Sequence, residues 1–325
     1  MLKRVLITGG CGFIGSNLIK ALTDANFCEE IVVLDNEVTG SSDSLKSFPH
    51  RFIRGDIRDL DVVEEAARDA EAIVHLAADT RVLDSIENPT YNFDVNVKGT
   101  MNVLEAMRQE GVRYLINAST GGAIVGNAHP PVHEAMPVRP ASAYGASKAA
   151  AEAYCSAYSQ SYGLVATSLR FSNVYGPLSL HKGSVVAAFM KNILNGKPCR
   201  IYGDGSQTRD FIFTEDLCQG IIAALKYRQN GVFQLGSGRP TSVNELIILL
   251  KAGLKQREGF EVTYHDFRVG EVQHNFTDIS KAMKELRFRP ETNLSDGLMA
   301  TWDYFEKNQE LFVVNDVDEE LQNAG

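Results

Sequence analysis

Short apolar runs and amphipathic stretches alternate along the first half of this chain. Val5–Thr8, Ile31–Leu34, Ile73–Leu76, Val112–Asn117 and Leu164–Leu169 are brief and mostly apolar, as strands buried on both faces are. Between them, Ile14–Ala25 sets Ile14, Leu18, Ile19 and Leu22 on one helical face. A short segment from Arg51 to Asp56 precedes Leu60–Arg68, whose acidic start suits a helix N-terminus. Phe93–Glu110 and the Ala-rich Ala143–Ser161 read as long helices. Strand then helix, repeated, predicts an α/β fold built on a parallel sheet with helices on both faces.

The rhythm loosens after residue 176. A Gly/Pro/Ser stretch, Gly176–Ser184, leads into apolar Val185–Ile193, and the turn cluster Gly203-Asp204-Gly205-Ser206 precedes Phe211–Phe213. Thr214–Leu225 reads as a helix, and mixed segments up to Phe305 complete an α+β remainder. Residues 1–176 are therefore expected to form the main domain. Residues 177–309 form a smaller region that returns some elements to the main sheet, and 310–325 an acidic tail.

Composition narrows the function. Of 325 residues, 44% are hydrophobic and 22% charged, enough to fill a sizeable core. Against 41 acidic residues stand 32 Lys and Arg, a net charge of -9 that excludes a strongly basic nucleic-acid binder. The five cysteines are scattered without a C-x-x-C pair and read as reduced side chains of a cytoplasmic protein. No apolar run is long enough for membrane insertion, and no signal peptide is expected. His129 and His133 are separated by Pro130 and Pro131, so they do not share a helix face and no metal site is expected.

The strongest local signal is Gly9-Gly10-Cys11-Gly12-Phe13-Ile14-Gly15, placed between the first strand and the first helix. Its G-x-x-G-x-x-G spacing lets a pyrophosphate approach backbone N–H groups at a helix N-terminus. Asp35 follows 20 residues after Gly15, at a strand end where a carboxylate can accept both hydroxyls of an adenosine ribose. Asn36 and Glu37 come next, with no adjacent cation for a 2′-phosphate, so NAD is expected over NADP. Asp56 lies where it could meet an adenine amino group, and Ala77 and Ala78 are small enough to pack against a cofactor.

Tyr144 and Lys148 stand four apart at the start of a predicted helix, on one face. An ammonium beside a phenol is expected to lower the phenol's pKa and make it a base for a sugar hydroxyl. Ser119 and Thr120, at the end of the strand Val112–Asn117, offer a hydroxyl to the same oxygen.

Taken together, Gly9–Gly15, Asp35, Asp56, Leu76-Ala77-Ala78, Ser119/Thr120 and Tyr144-Gly145-Ala146-Ser147-Lys148 resemble the extended short-chain dehydrogenase/reductase superfamily. More narrowly, the chain resembles the NAD-dependent nucleotide-sugar epimerase/dehydratase family from Val5 to about Phe305. The resemblance implies a Rossmann-type doubly wound parallel sheet with a smaller C-terminal α+β substrate-binding region. It also implies a homodimer through long helices such as Phe93–Glu110 and Ala143–Ser161. Tyr144 would be the acid/base, Lys148 would hold the nicotinamide ribose, and Ser119 or Thr120 would assist. Phe13, Ile14, Asn36, Ile57, Leu76 and Asn96 join the glycines, Asp35, Asp56, Ala77 and Ala78 as implied cofactor contacts. Asn173, Val186, Arg209 and Arg268, with Thr120, would bind a UDP-sugar substrate.

Two departures shape the implied reaction. Ile124-Val125-Gly126 stands where the family usually has Val-Tyr-Gly, and counting back puts Gly121 at the usual position of the assisting hydroxyl. Gly122 and Ala123 stand where 4,6-dehydratases carry an Asp-Glu pair. Without an acid to protonate a leaving C6 hydroxyl, ordinary 4,6-dehydration loses its catalyst. The expected activity is C4 epimerisation of a UDP-hexose-type sugar through a transient 4-keto intermediate. The alternatives are a UDP-sugar dehydratase (4,6- or 5,6-elimination), a decarboxylase, or a non-catalytic NAD-binding protein.

Overall fold

The computed structural model describes residues 1–254, 259–267 and 272–313. Seven parallel strands form its main sheet: β1 (Leu2–Thr8), β2 (Cys28–Asp35), β3 (Arg51–Arg54), β4 (Ala72–His75), β5 (Tyr114–Thr120), β6 (Val165–Phe171) and, after a short β7 (Asn173–Tyr175) outside that sheet, β10 (Gly231–Leu235). Their order is β10-β6-β5-β4-β1-β2-β3. The chain reverses direction across the sheet between β1 and β4, which opens a crevice at their C-terminal ends.

Helices α1 (Phe13–Asp24) and α2 (Leu60–Ala67) follow β1 and β3. After β4 come α3 (Val82–Glu87), α4 (Pro89–Phe93) and α5 (Gly99–Glu110), then a single turn α6 (Gly122–Val125) and α7 (Ala143–Tyr162). Beyond the crossover lie α8 (Val185–Leu194), β8 (Cys199–Tyr202), β9 (Thr208–Phe213), α9 (Thr214–Tyr227), β11 (Pro240–Ser242) and α10 (Val243–Gly253). β12 (Val262–His265), α11 (Ser280–Glu285), α12 (Leu294–Lys307) and α13 (Glu310–Val313) complete the described chain.

Each sheet face has its own core. Leu18, Ile19 and Leu22 of α1 pack with Leu217 and Ile221 of α9 on one side. Val63 of α2, Val103 and Leu104 of α5 and Tyr158 of α7 pack on the other. A third core joins Val186 of α8, Leu246 of α10 and Leu298 of α12. Between the first and third cores stands the small sheet β11-β9-β7, with Ile212 facing one and Phe211 and Phe213 the other.

Two elements differ from the sequence expectation. The helix expected over Phe93–Glu110 begins with an i→i+5-bonded stretch, Asp94–Lys98, before α5. The widened turn frees Asn96 to accept from the Asp79 backbone N–H at 2.8 Å and to donate to the Asp79 carbonyl at 2.9 Å. β5 runs on to Thr120 because β6 continues beside it and pairs Thr120 with Phe171. Ser119 and Thr120 are thus strand residues with opposite facings, so they do not both offer a hydroxyl to one oxygen.

Candidate active site

The turn after β1 is shaped by backbone contact. Gly9 has φ +72°, and a Cβ there would lie 2.6 Å from the Ala77 nitrogen, so the turn and the loop after β4 touch directly. Gly12 precedes α1, and no side chain caps its first turn. Phe13 is buried, and Leu76, Ala77 and Ala78 are half-buried. Asp35 ends β2 and accepts from the Cys11 N–H at 2.9 Å and the Glu37 N–H at 2.7 Å. Burial raises its pKa above the ordinary carboxylate value, and the two N–H bonds oppose that rise.

Asn36 donates to Asp56 at 2.9 Å, and the Arg58 fork holds the same carboxylate at 2.9 and 2.8 Å. Arg58 therefore keeps Asp56 well below the usual carboxylate range. Ile57 is buried, its carbonyl taken by Asn102 at 2.8 Å. Sequence reading found no cation beside Asp35, yet the fold brings Arg54 from β3 to within 3.2 Å of Glu37, where it is paired.

Helix α7 starts in a well-defined frame. The Ser142 hydroxyl accepts from Gly145 N–H at 3.2 Å and the Ser85 hydroxyl from Tyr144 N–H at 3.1 Å. Ser147 receives the Asn96 amide at 3.0 Å and donates to the Tyr144 carbonyl at 2.9 Å, tying α7 to the Asp94–Lys98 stretch. The Thr120 hydroxyl lies close enough to the Tyr144 phenol to pull its pKa down. Ser119 turns away, donating to Glu152 at 2.6 Å. Of the two candidate hydroxyls, only Thr120 meets the phenol.

Burial dominates the electrostatics of both Tyr144 and Lys148. Lys148 is buried and gives its ammonium to the Ala118 carbonyl at 2.9 Å. Burial pushes Tyr144 up to about 12, with the Thr120 hydroxyl pulling down and Asp79 pushing up. Lys148 itself falls to about 8, chiefly by burial. At Lys148 desolvation outweighs the neighbouring Cys155 and Glu152, whereas at Tyr144 it acts together with Asp79.

Asn173, Val186 and Arg209 line one cavity of about 200 Å³ with Tyr175, Ser184 and Phe211. Asn173 donates to the Asp210 carbonyl at 3.3 Å, and Arg209 to the Thr208 carbonyl at 2.9 Å. Arg268 lies outside the described residues. Sequence reading missed Asn275: its backbone bonds Thr208 at 3.1 Å, and its amide packs so closely on Gly122 that a Cβ there would overlap it. It also missed Glu152, although Glu152 stands one helical turn beyond Lys148 on the same face.

Among the described residues no helix is long and apolar enough to cross a membrane. A UDP-glucose 4-epimerase of Mycolicibacterium smegmatis is 35% identical over 314 residues, covering 93% of this chain and 98% of its own. The UDP-glucose 4-epimerase of Thermotoga maritima, solved with UDP-glucose, superposes with a TM-score of 0.89 at 34% identity, over 94% of this chain and 99% of its own. A dTDP-glucose 4,6-dehydratase of Streptomyces venezuelae, solved with NAD, gives 0.87 at 32% identity, over 95% and 98%. The NAD dependent epimerase/dehydratase family matches residues 5–236. With this turn, this Tyr/Lys helix and these relatives, the chain belongs to the NAD-dependent epimerase/dehydratase family.

Proposed function

We propose that this chain epimerises C4 of a UDP-hexose-type sugar with NAD as its resident cofactor. The residues at the β1–α1 turn fit a dinucleotide: an uncapped helix N-terminus, backbone pressed against Ala77, and Asp35 at the end of β2. Bound NAD supplies reversible hydride acceptance from the sugar's C4 and a cationic ring. Tyr144 takes the C4 hydroxyl proton and returns it, and Thr120 passes a hydrogen bond to the same oxygen as its charge changes. Asn173 and Arg209 hold the diphosphate, so the 4-keto sugar turns over without leaving.

One observation favours epimerisation over dehydration. α6 carries no acid, and the space beside Gly122 is filled by the Asn275 amide. The test is incubation of purified protein with UDP-glucose, UDP-N-acetylglucosamine and UDP-glucuronate, followed by chromatography and mass spectrometry. A product of unchanged mass and altered retention is expected, whereas loss of water would make the chain a dehydratase. Tyr144→Phe should cut turnover by about a hundred- to ten-thousand-fold. The same reading includes a homodimer through long helices such as α5 and α7, the latter bearing Tyr154 and Tyr162, both exposed in the single chain. Light scattering of the purified protein tests that assembly.

A further inference from the structure

Helix α7 docks on the sheet through a polar stripe. Tyr144, Lys148, Glu152, Cys155 and Ser159 follow one another at helical spacing on one face, where a helix packed on a sheet is ordinarily apolar. Lys148 bonds the Ala118 carbonyl and Ser159 the Asn230 side chain. Glu152 receives the Ser119 hydroxyl at 2.6 Å and both Nε and Nη2 of Arg170, at 2.8 and 2.7 Å. Ser119 and Arg170 are register partners on β5 and β6, so the carboxylate bridges two strands. The ion pair is almost fully buried, at 3% and 8% side-chain exposure, and Arg170 Nη1 has no hydrogen-bond partner.

Such a pair is no more stabilising than apolar residues of the same size. Its placement gives it another use. Lys148 lies one turn from Glu152, buried, with the Ala118 carbonyl as its neutral acceptor. The titratable and charged groups around it are Tyr144, Glu152 and Cys155 on α7, His75 on β4, Arg170 on β6, and Asp79 in the loop after β4. Burial keeps His75 neutral and holds the Cys155 thiol up at about 12. The fixed charge acting on Lys148 is therefore that of Glu152, itself paired with Arg170, with Asp79 on the Tyr144 side.

We propose that Glu152, clamped by Arg170 and Ser119, is a positioning residue that keeps Lys148 charged and stationed beneath Tyr144, with Arg170 setting how much of that negative field Lys148 feels. The inference rests on the reading of Lys148 as part of the reacting site. Its sign is testable because the two partners act oppositely. Glu152→Gln removes the anion and leaves a buried cation, so the Lys148 midpoint should fall by about one pH unit or more. Arg170→Gln removes the cation and leaves the anion, so the midpoint should rise.

The readout needs no substrate: NMR titration of the full chain, NAD added, with ¹³C at lysine Cε and the Lys148 signal assigned by its loss in Lys148→Met. The alkaline limb of kcat, for whichever UDP-sugar is turned over, should move in the same two directions, with Glu152→Asp nearest the wild type. A purely structural pair would lower melting temperature and kcat without splitting the midpoints. Midpoints that stay put, or move the same way, overturn the proposal. Should a single variant fail to fold, Glu152→Leu with Arg170→Met keeps the packing. It should lower the midpoint less than Glu152→Gln would, and a midpoint at or above wild type overturns the proposal. Split midpoints without turnover of any UDP-sugar would sink the epimerase reading alone, and turnover without splitting would sink this one alone.

Discussion

Thr100 donates its only hydroxyl proton to the Asn96 carbonyl at 2.6 Å, which fixes the chemistry of a buried histidine beside it. Thr100 can then only accept from His75 Nε2, 3.1 Å away, so the ring proton sits on Nε2. Nδ1 is left to accept from Thr8 at 2.7 Å, and the Thr8 oxygen accepts the Ala77 N–H at 3.3 Å. Every member is satisfied with a neutral ring. Burial pushes His75 down to about 3, and nearby Lys148 acts in the same direction. The unfolded chain binds this proton below pH ~6.5 and the native one does not until about 3. Stability is therefore intact above pH ~6.5 and lost as pH falls across that window, by up to about 1.4 kcal/mol per unit. His75→Gln removes that part of the slope. Between pH 7 and pH 5, urea midpoints of the wild type should show about 2 kcal/mol more loss than the variant. Parallel losses would mean the native ring is charged. Sequence reading marked Leu76-Ala77-Ala78 but not His75, since Thr8, His75 and Thr100 are brought together by strand register and helix docking that no local spacing records.

At the scale of elements, the Tyr-x-x-x-Lys spacing was enough to mark the face of α7, but not where that helix would sit. Its seat is set at Gly145: a Cβ there would overlap the Ala123 carbonyl of α6 and lie 2.9 Å from the Pro140 Cβ. Backbone is met by backbone, so Gly145→Ala can be relieved only by moving α7 away from α6. Tyr144 and Lys148 move with it. We expect about 1–3 kcal/mol of lost stability from the overpacking, and about a hundredfold fall in kcat from misplacing the phenol. Gly183→Ala, where nothing lies within 4 Å, is the control and should change neither. Equal kcat in the two variants would show that the α6–α7 crossing does not set the phenol's place. The Asp94–Lys98 stretch escaped the sequence for a related reason. A single widened turn hardly disturbs an apolar period, and the Asn96–Asp79 bonds that accompany it reach across the site to a residue no local spacing points to.

The whole molecule is held together where sequence rhythm is least informative. Parallel strands buried on both faces are continuous apolar runs, so β1, β2 and β4 are legible one by one. The docking of β10 against β6 is a contact between segments some sixty residues apart, which only the assembled cores specify. Asp210, at the head of the β9 wall, ties those parts together. Its carboxylate accepts from Ser237 N–H at 2.7 Å, Gly238 N–H at 3.1 Å and Thr277 N–H at 3.2 Å, and from the hydroxyls of Ser172, Ser237 and Thr277. These partners come from the ends of β6 and β10 and from the segment leading into α11, so one buried side chain joins the main sheet to the third core's wall. Asp210→Ala would strand three backbone donors and should cost about 3 kcal/mol or more. The chain's single tryptophan, Trp302, lies in the third core and reports on that part by fluorescence, while far-UV dichroism is weighted to the main sheet's helices. In the wild type the two urea transitions should coincide. In Asp210→Ala the Trp302 transition should move to lower urea than the dichroism, because the third core loses its tie while the sheet keeps both of its own. If the transitions stay superimposed with an unchanged midpoint, the joint lies elsewhere, and the apolar wall of β9 alone makes the two parts unfold as one.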